Sequence, residues 1–334
     1  MSNSAGSQHR VLVTGATGFL GSEIVHQATT AGMQVRATAR RAAPLASGID
    51  YCSADILDLD RMRGIMDGMT CVIHAAGLAH IFDTSQASVA PFTMVNEFGT
   101  ANVARAAVMA GVQHLIVVSS VSVYGAHTPA VCDESSACRP EGAYAASKWH
   151  AELRAIEATG DTDTSLTILR MATVYGEGDP GNIYRLMRAI DRGRFVWIGD
   201  GRNRKSLIHR QDAARACVMA VQQSAARAQS FVVTAPTCTM HDIVSAIADA
   251  LGRKVSPIKI PAAWAKAIAV ASDHVGHWLR IPLPLTSDLV ERFIGENVYS
   301  GAKVTRCIGF TPQVHLTAGI RREVQWYLTR RAAQ

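Results

Sequence analysis

Apolar positions in this chain cluster into short solid runs, and amphipathic stretches of helical period separate them. Val11–Val13 is such a run and opens a strand, Val11–Thr14. Ser22–Ala31 then carries a helical spacing that Gly32 closes. Met33–Ala39, Ile49–Ala54, Cys71–His74 and His114–Ser119 are further short runs, with a long helical stretch at Phe92–Gly111 before the last. Runs apolar on both faces, alternating with helices, predict a parallel sheet covered on both sides. The expected fold class is α/β, a Rossmann-type doubly wound parallel sheet with a smaller C-terminal α/β substrate lobe. Residues 9–172 are assigned to the first, with later segments returning to it, and 173–331 mainly to the second.

Past residue 172 the rhythm is less regular. The pattern predicts helices at Gly181–Arg192, Asp212–Gln223 and His241–Leu251, and strands at Phe195–Ile198, Ser206–His209 and Ser230–Thr234. The proline-marked segments Pro257–Pro261 and Ile281–Pro284 bracket a rather apolar helix, Ala262–Leu279. It is read as packing within the smaller lobe, with a membrane-surface position as the alternative. Gly301–Ile308 and Leu316–Leu328 close the chain as helices.

Three glycines, Gly15, Gly18 and Gly21, follow the first strand and lead into the first helix. Strand, glycine turn and helix N-terminus form a site for a dinucleotide pyrophosphate, because backbone N–H groups reach the phosphates unhindered. Thr17, Phe19 and Leu20 lie inside that turn. The second strand ends in Ala37-Thr38-Ala39 with no acidic residue to take ribose hydroxyls, and Arg40 follows. That substitution points to NADP over NAD. Asp55 and Ile56 after the third strand, and Ala75, Ala76 and Gly77 after the fourth, are placed to line the cofactor.

Tyr144 and Lys148 stand four apart and share a helix face. A neighbouring ammonium favours the phenolate, so Tyr144 is a candidate acid/base and Lys148 its partner. Ser119 and Ser120 sit at the carboxyl end of the fifth strand, where open α/β sheets bind ligands. Ser120 is the candidate for holding a substrate oxygen.

Composition narrows the setting. Apolar residues are 48% and charged residues 18%, a globular balance. The first ten residues lack the apolar core of a secretory signal, and no apolar run reaches the ~18 residues of a span. The seven cysteines, Cys132 and Cys138 included, have no paired spacing and are read as free thiols in a cytoplasmic protein. Net charge is +6, and arginines crowd the stretch from Arg185 to Arg215. No aromatic platform accompanies them, so an anionic small substrate such as a diphosphate is expected, and nucleic acid is not. His274 and His277 have a spacing that suits a metal, but no further ligand is evident and none is expected.

Taken together, Thr14-Gly-Ala-Thr-Gly-Phe-Leu-Gly21, Asp55-Ile-Leu-Asp58, His74-Ala-Ala-Gly77, Asn96-Glu-Phe-Gly-Thr-Ala-Asn102, Ser119-Ser120 and Tyr144-x-x-x-Lys148 resemble the extended short-chain dehydrogenases/reductases of the NAD-dependent epimerase/dehydratase family. The resemblance implies Ser120, Tyr144 and Lys148 as the catalytic set, with Lys148 also on the nicotinamide ribose. It implies Asn96 near the cofactor, and the loop from Leu169 through Met171 and Val174 touching nicotinamide and substrate. Met171 stands where the family commonly has proline. Ser122, Asn182, Arg204 and Lys205 complete the substrate residues, the last two in a segment similar to one that meets the nucleotide in sugar-modifying members. Family dehydratases carry an Asp-Glu pair where this chain has Val121 and Ser122, so dehydration is not expected. The reading is a nucleotide-sugar 4-epimerase or 4-ketoreductase, working as a homodimer. A 3β-hydroxysteroid-type or other ketone reductase is the alternative, and a non-catalytic NADP sensor is a third.

Overall fold

The computed structural model describes residues 9–41, 48–79, 89–125, 131–179, 181–279 and 286–332. In chain order its elements begin β1 (Arg10–Thr14), α1 (Phe19–Thr30), β2 (Gln34–Ala39), β3 (Asp50–Ser53), α2 (Leu59–Met66), β4 (Cys71–His74) and α3 (Val89–Phe92). A π-helical segment, Thr93–Phe98, leads into α4 (Gly99–Met109), followed by β5 (His114–Ser120), a 3₁₀ turn (Val121–Tyr124), α5 (Gly142–Thr159) and β6 (Ser165–Met171). Then come β7 (Thr173–Tyr175), α6 (Asn182–Asp191), β8 (Trp197–Ile198), β9 (Arg204–Lys205), β10 (Leu207–His209), α7 (Arg210–Gln222) and β11 (Gln229–Val233). The last are β12 (Cys238–Thr239), α8 (Met240–Leu251), β13 (Lys259–Ile260), α9 (Ala262–Leu279), α10 (Ser287–Ile294), α11 (Ala302–Ile308) and α12 (Leu316–Ala332).

The chain divides into two units. One runs to Val174 and takes in Ile208–Ala235 and Tyr299–Gln313; the other holds Tyr175–Leu207, Pro236–Val298 and the residues from Val314. The first unit is built on a seven-stranded parallel sheet in the order β3-β2-β1-β4-β5-β6-β11. Strand alternation accounts for its two cores. Val11 and Val13 face α1 and α7, against Ile24, Val25, Ala213 and Cys217, while Leu12 faces α2 and α4, against Met62, Met66, Val103 and Ala107. Alanines on α4 and α7 let those helices close on the sheet. The strand order reverses between β1 and β4, the switch point at whose carboxyl ends such sheets bind ligands. Thr14 and His74 are register partners there.

The second unit has its own core. Ile183 and Met187 of α6, Ile243 and Ile247 of α8, and Ile320, Val324 and Tyr327 of α12 pack with Phe195 and Trp197. Helix α8 starts with a reciprocal cap between Thr239 and Asp242 and ends at Gly252 in the left-handed region, φ 62°. Ala265 and Ala269 of α9 pack on Val290 of α10. No helix of the described residues is long and apolar enough to cross a membrane.

The structure amends the pattern reading in places. The helix expected at Phe92–Gly111 is three pieces, because the Thr93–Phe98 turns are widened to π geometry around Asn96. The strand expected at Phe195–Ile198 is only Trp197–Ile198, since Phe195 turns into the core against Trp197, and that at Ser206–His209 begins at Leu207. Helices α2 and α10 and the two-residue strands β9, β12 and β13 are additional. The segment Ile281–Pro284 and the His277 side chain lie outside the described residues.

Candidate active site

The glycine turn is a cradle that side chains would fill. Gly15 has φ +67°, and a Cβ on it would lie 2.7 Å from the Ala76 backbone; a Cβ on Gly21 would run into the Gly15 carbonyl oxygen. The turn is tied by Gly18 N–H donating to Gly15 O at 2.9 Å and Ala16 N–H to Thr38 O at 3.1 Å. Gly18 is the N-cap of α1 and supplies no side-chain cap, so the first-turn N–H groups meet no capping hydroxyl or carboxylate. Thr17 is exposed, and Phe19 and Leu20 are half-buried. These residues fit a dinucleotide pyrophosphate.

Around the turn, Arg40 is exposed directly after β2, and its carbonyl accepts from Ser53 Oγ at 3.1 Å. Asp55 Oδ1 accepts from Leu57 N at 3.0 Å, and Ile56 is buried against Gly99. Ala75 and Ala76 are half-buried and Gly77 is exposed. Asn96 brackets Leu78, accepting from its N–H at 2.8 Å and donating to its carbonyl at 3.0 Å, and donates to Ser147 Oγ at 2.9 Å. The π segment thus clamps the loop after β4 to α5.

Ser120 ends β5, in register with Met171, which ends β6 and is buried; Val174 is half-buried in β7. Ser120 Oγ accepts from Ser122 N–H at 3.2 Å and its side chain hydrogen-bonds Tyr144. Burial pushes the Tyr144 phenol above its ordinary pKa, and that bond to Ser120 pulls it back. Lys148 Nζ donates to Val118 O at 2.7 Å. Burial lowers Lys148 from 10.5 to about 8, and Glu152 one turn further raises it. The downward pull on Tyr144 expected from Lys148 comes instead from Ser120, because the ammonium is turned to the strand carbonyl.

Behind the trio lies a network that the spacing did not announce. Ser119 Oγ donates to Glu152 Oε1 at 2.5 Å, so its hydroxyl faces α5. Arg170 grips Glu152 through Nε and Nη2 (2.7 Å to Oε2) and donates to the Tyr124 hydroxyl at 2.8 Å. On the other side, His74 joins Thr14 Oγ1 (2.8 Å) to Thr100 Oγ1 (3.0 Å), and Thr14 Oγ1 also accepts from Ala76 N–H. Burial, then the charge of Lys148, pushes His74 down to about 3, so it is neutral. His74 and Arg170 both stood in motifs; their partners were the unread part.

Of the expected substrate residues, Ser122 has a buried hydroxyl with no hydrogen-bond partner among the described residues. Asn182 is exposed at the start of α6. Arg204 pairs with Glu296 through Nε at 3.1 Å and Nη2 at 2.9 Å. Lys205 is buried, and its Nζ donates to Gly295 O at 2.6 Å.

A switch-point glycine turn with a Ser/Tyr/Lys set at the next strand, its lysine buried, defines a nicotinamide-dependent short-chain dehydrogenase/reductase of the extended, two-unit kind. Within that class, the profile of the NAD dependent epimerase/dehydratase family matches residues 11–234, and the chain belongs to that family. It is 28% identical, over 95% of its length and 94% of the relative's, to the N-acetyl-alpha-D-glucosaminyl-diphospho-ditrans,octacis-undecaprenol 4-epimerase of Escherichia coli O157:H7. It is 27% identical to the UDP-glucose 4-epimerase of Vibrio cholerae, over 95% of each chain. The solved structure of MoeE5 in complex with UDP-glucose and NAD superposes with a TM-score of 0.76 at 26% identity, covering 97% of this chain and all of that one.

Proposed function

We propose that this protein is a sugar-nucleotide 4-epimerase, which oxidises the C4 hydroxyl of a hexose carried on a nucleoside diphosphate and reduces the resulting ketone on the opposite face. The observation that carries it is the half-buried Ser120–Tyr144 hydrogen bond with the buried Lys148 one turn on. Bound NAD(P) supplies the hydride acceptor and donor. Gly15, Thr17, Gly18, Phe19, Leu20 and Gly21 hold its pyrophosphate, and Asp55 and Ile56 its adenine. Ala75, Ala76, Gly77, Asn96, the Ser119 backbone, Met171 and Val174 line the cleft. Tyr144 takes the C4 hydroxyl proton and returns it, Ser120 holds that oxygen and favours the phenolate through its hydrogen bond, and Lys148 holds the nicotinamide ribose. Ser122, Asn182 and Arg204 contact the substrate, while Lys205, expected among them, holds the Gly295 carbonyl next to Glu296. The full-length similarity to named 4-epimerases supports this choice. Tyr144→Phe lowers kcat by about a thousandfold and leaves nucleotide co-purifying. Wild-type turnover in that variant sinks the assignment.

Arg40 favours a second reading, a ketoreductase that consumes NADPH, since an arginine after β2 accepts a 2′-phosphate. The near-ultraviolet absorbance of reduced nicotinamide separates the two. Sugars that interconvert without net change mean an epimerase, and steady loss with a keto substrate means a reductase. On either reading we infer binding of NADP over NAD at Arg40, checked by comparing both nucleotides in wild type and Arg40→Ala. The same proposal places the enzyme in the cytoplasm as a homodimer, through the exposed Leu153 and Ile156 of α5. Leu153→Glu/Ile156→Glu is then monomeric by light scattering.

A further inference from the structure

Helix α9 presents its apolar side outward. Ala265 and Ala269 are buried on Val290 of α10. The polar residues beside them are also turned to α10: Asp273 Oδ2 accepts from Ser287 N at 3.0 Å, and Lys266 Nζ lies 3.8 Å from Glu291. Left facing out are Ala263, Trp264, Ala267, Ile268, Val270 and Ala271, adjoining positions on a helix surface. Trp264 is 68% exposed, Ile268 48% and Val270 49%, and Ile258 just before the helix is 64% exposed. Single exposed apolar residues are ordinary on a protein surface, but an arc continuous over two turns around a tryptophan is not.

The charge along the chain leading into the helix says what covers it. From Arg253 to Lys266 the chain carries four cations and no carboxylate. Two of the four, Arg253 and Lys266, face Asp191 and Glu291; the others, Lys254 and Lys259, are exposed. We propose that α9 seats this protein on an anionic lipid bilayer, with Trp264 and Ile268 in the headgroup region and Lys254 and Lys259 on acidic headgroups. An exposed tryptophan following a basic stretch of chain without carboxylates suits that interface, where an apolar body meets a wet charged layer. A second copy of the chain suits it less. A two-fold contact sets each patch against itself and gathers the lysines of both protomers. The inference stands apart from the catalytic reading, since none of these residues belongs to the site.

Flotation with vesicles tests it, using the full chain with pure phosphatidylcholine and with equal parts phosphatidylcholine and phosphatidylglycerol. The expected result is flotation with the anionic vesicles only, reduced roughly tenfold in Trp264→Ser/Ile268→Ser. Those side chains are exposed, so the variant keeps its melting temperature and its turnover of a soluble substrate. A blue shift of tryptophan emission on anionic vesicles, absent from Trp264→Phe, gives the same answer without the double variant. No flotation with either vesicle overturns the proposal, and so does flotation that the double substitution leaves unchanged. Concentration-dependent dimerisation that the double variant abolishes, without vesicle binding, assigns the face to a second copy and overturns it too.

Discussion

Each unit of this protein buries one glutamate completely, and the two are handled in opposite ways. Glu152 of α5, in the sheet unit, meets Arg170 in a two-pronged ion pair and the Ser119 hydroxyl at 2.5 Å. Glu323 of α12, in the other unit, has the Gly176 N–H at 3.1 Å on one oxygen, no partner among the described residues on the other, and Asp179 nearby as a second acid. Burial, then Asp179, pushes Glu323 up to about 9, and burial raises Asp179 to about 6. One unit stores a compensated charge and the other a proton. The charge lies one turn from Lys148 and raises an ammonium that burial lowers. A protonated acid in that place would leave Lys148 without its counter-charge. Placement beside the Ser120, Tyr144 and Lys148 set is what separates the first polar network from the second.

The largest effect comes from breaking the compensated pair. Glu152→Ala strands the Arg170 guanidinium in the core and costs about 3–5 kcal/mol, read by urea unfolding. Glu152→Leu with Arg170→Leu recovers most of that loss, because neither charge is then left unpaired. Simple addition of the two single losses would show that compensation is not what holds the network. In Glu152→Gln, which keeps the acceptor for Ser119, Lys148 loses an attractive charge and gives up its proton at lower pH. The alkaline limb of the activity profile moves down accordingly.

The proton-storing site gives a change of opposite sign. The folded chain keeps a proton on Glu323 that the unfolded chain releases anywhere between 4.5 and about 9. Over that window the folded state binds more protons, so stability falls as pH rises. Glu323→Gln keeps an acceptor for Gly176 N–H and removes that slope. It gains stability progressively toward the alkaline end and nothing below the ordinary glutamate pKa. Thermal melts across the window read the difference. A variant with an unchanged slope would mean that Glu323 is ionised in the fold.

These two sites also mark where the sequence was readable. The sheet unit was legible because β1, β4 and β5 are buried on both faces and read as solid apolar runs, and because glycine, tyrosine and lysine at fixed spacings have few other uses. Glu152 left a fainter trace, four residues after Lys148, but an acid on a helix ordinarily means solvent. Its significance comes from Arg170, which only the β5–β6 pairing brings near. Glu323 left a similar trace, falling on the Ile320, Val324 and Tyr327 stripe of α12 between residues that look like surface. The π turns at Asn96 left none, since they arise from tertiary hydrogen bonds to Leu78 and Ser147 and not from local preference. The short strands of the second unit, two residues each, are too brief for any period to show.

The finest test of the comparison lies within one strand of the second unit, where Arg204 and Lys205 are adjacent cations with different surroundings. Lys205 is buried, lowered by that burial from 10.5 to about 8, and spent on the Gly295 carbonyl. Arg204 is half exposed and held extended by Glu296. Alternation along a strand sends successive side chains to opposite faces, so one neighbour packs the fold while the other remains available to an anion. Lys205→Met therefore lowers the melting temperature and leaves KM unaltered. Arg204→Ala raises KM for a sugar nucleotide by a few-fold at constant kcat, the mark of lost uniform binding, and leaves the melting temperature where it was. Glu296→Gln separates support from contact: it loosens Arg204 without removing it, so KM rises by less than in Arg204→Ala. Equal KM in all three variants would return Arg204 to a purely structural pair and move the diphosphate contact to other residues.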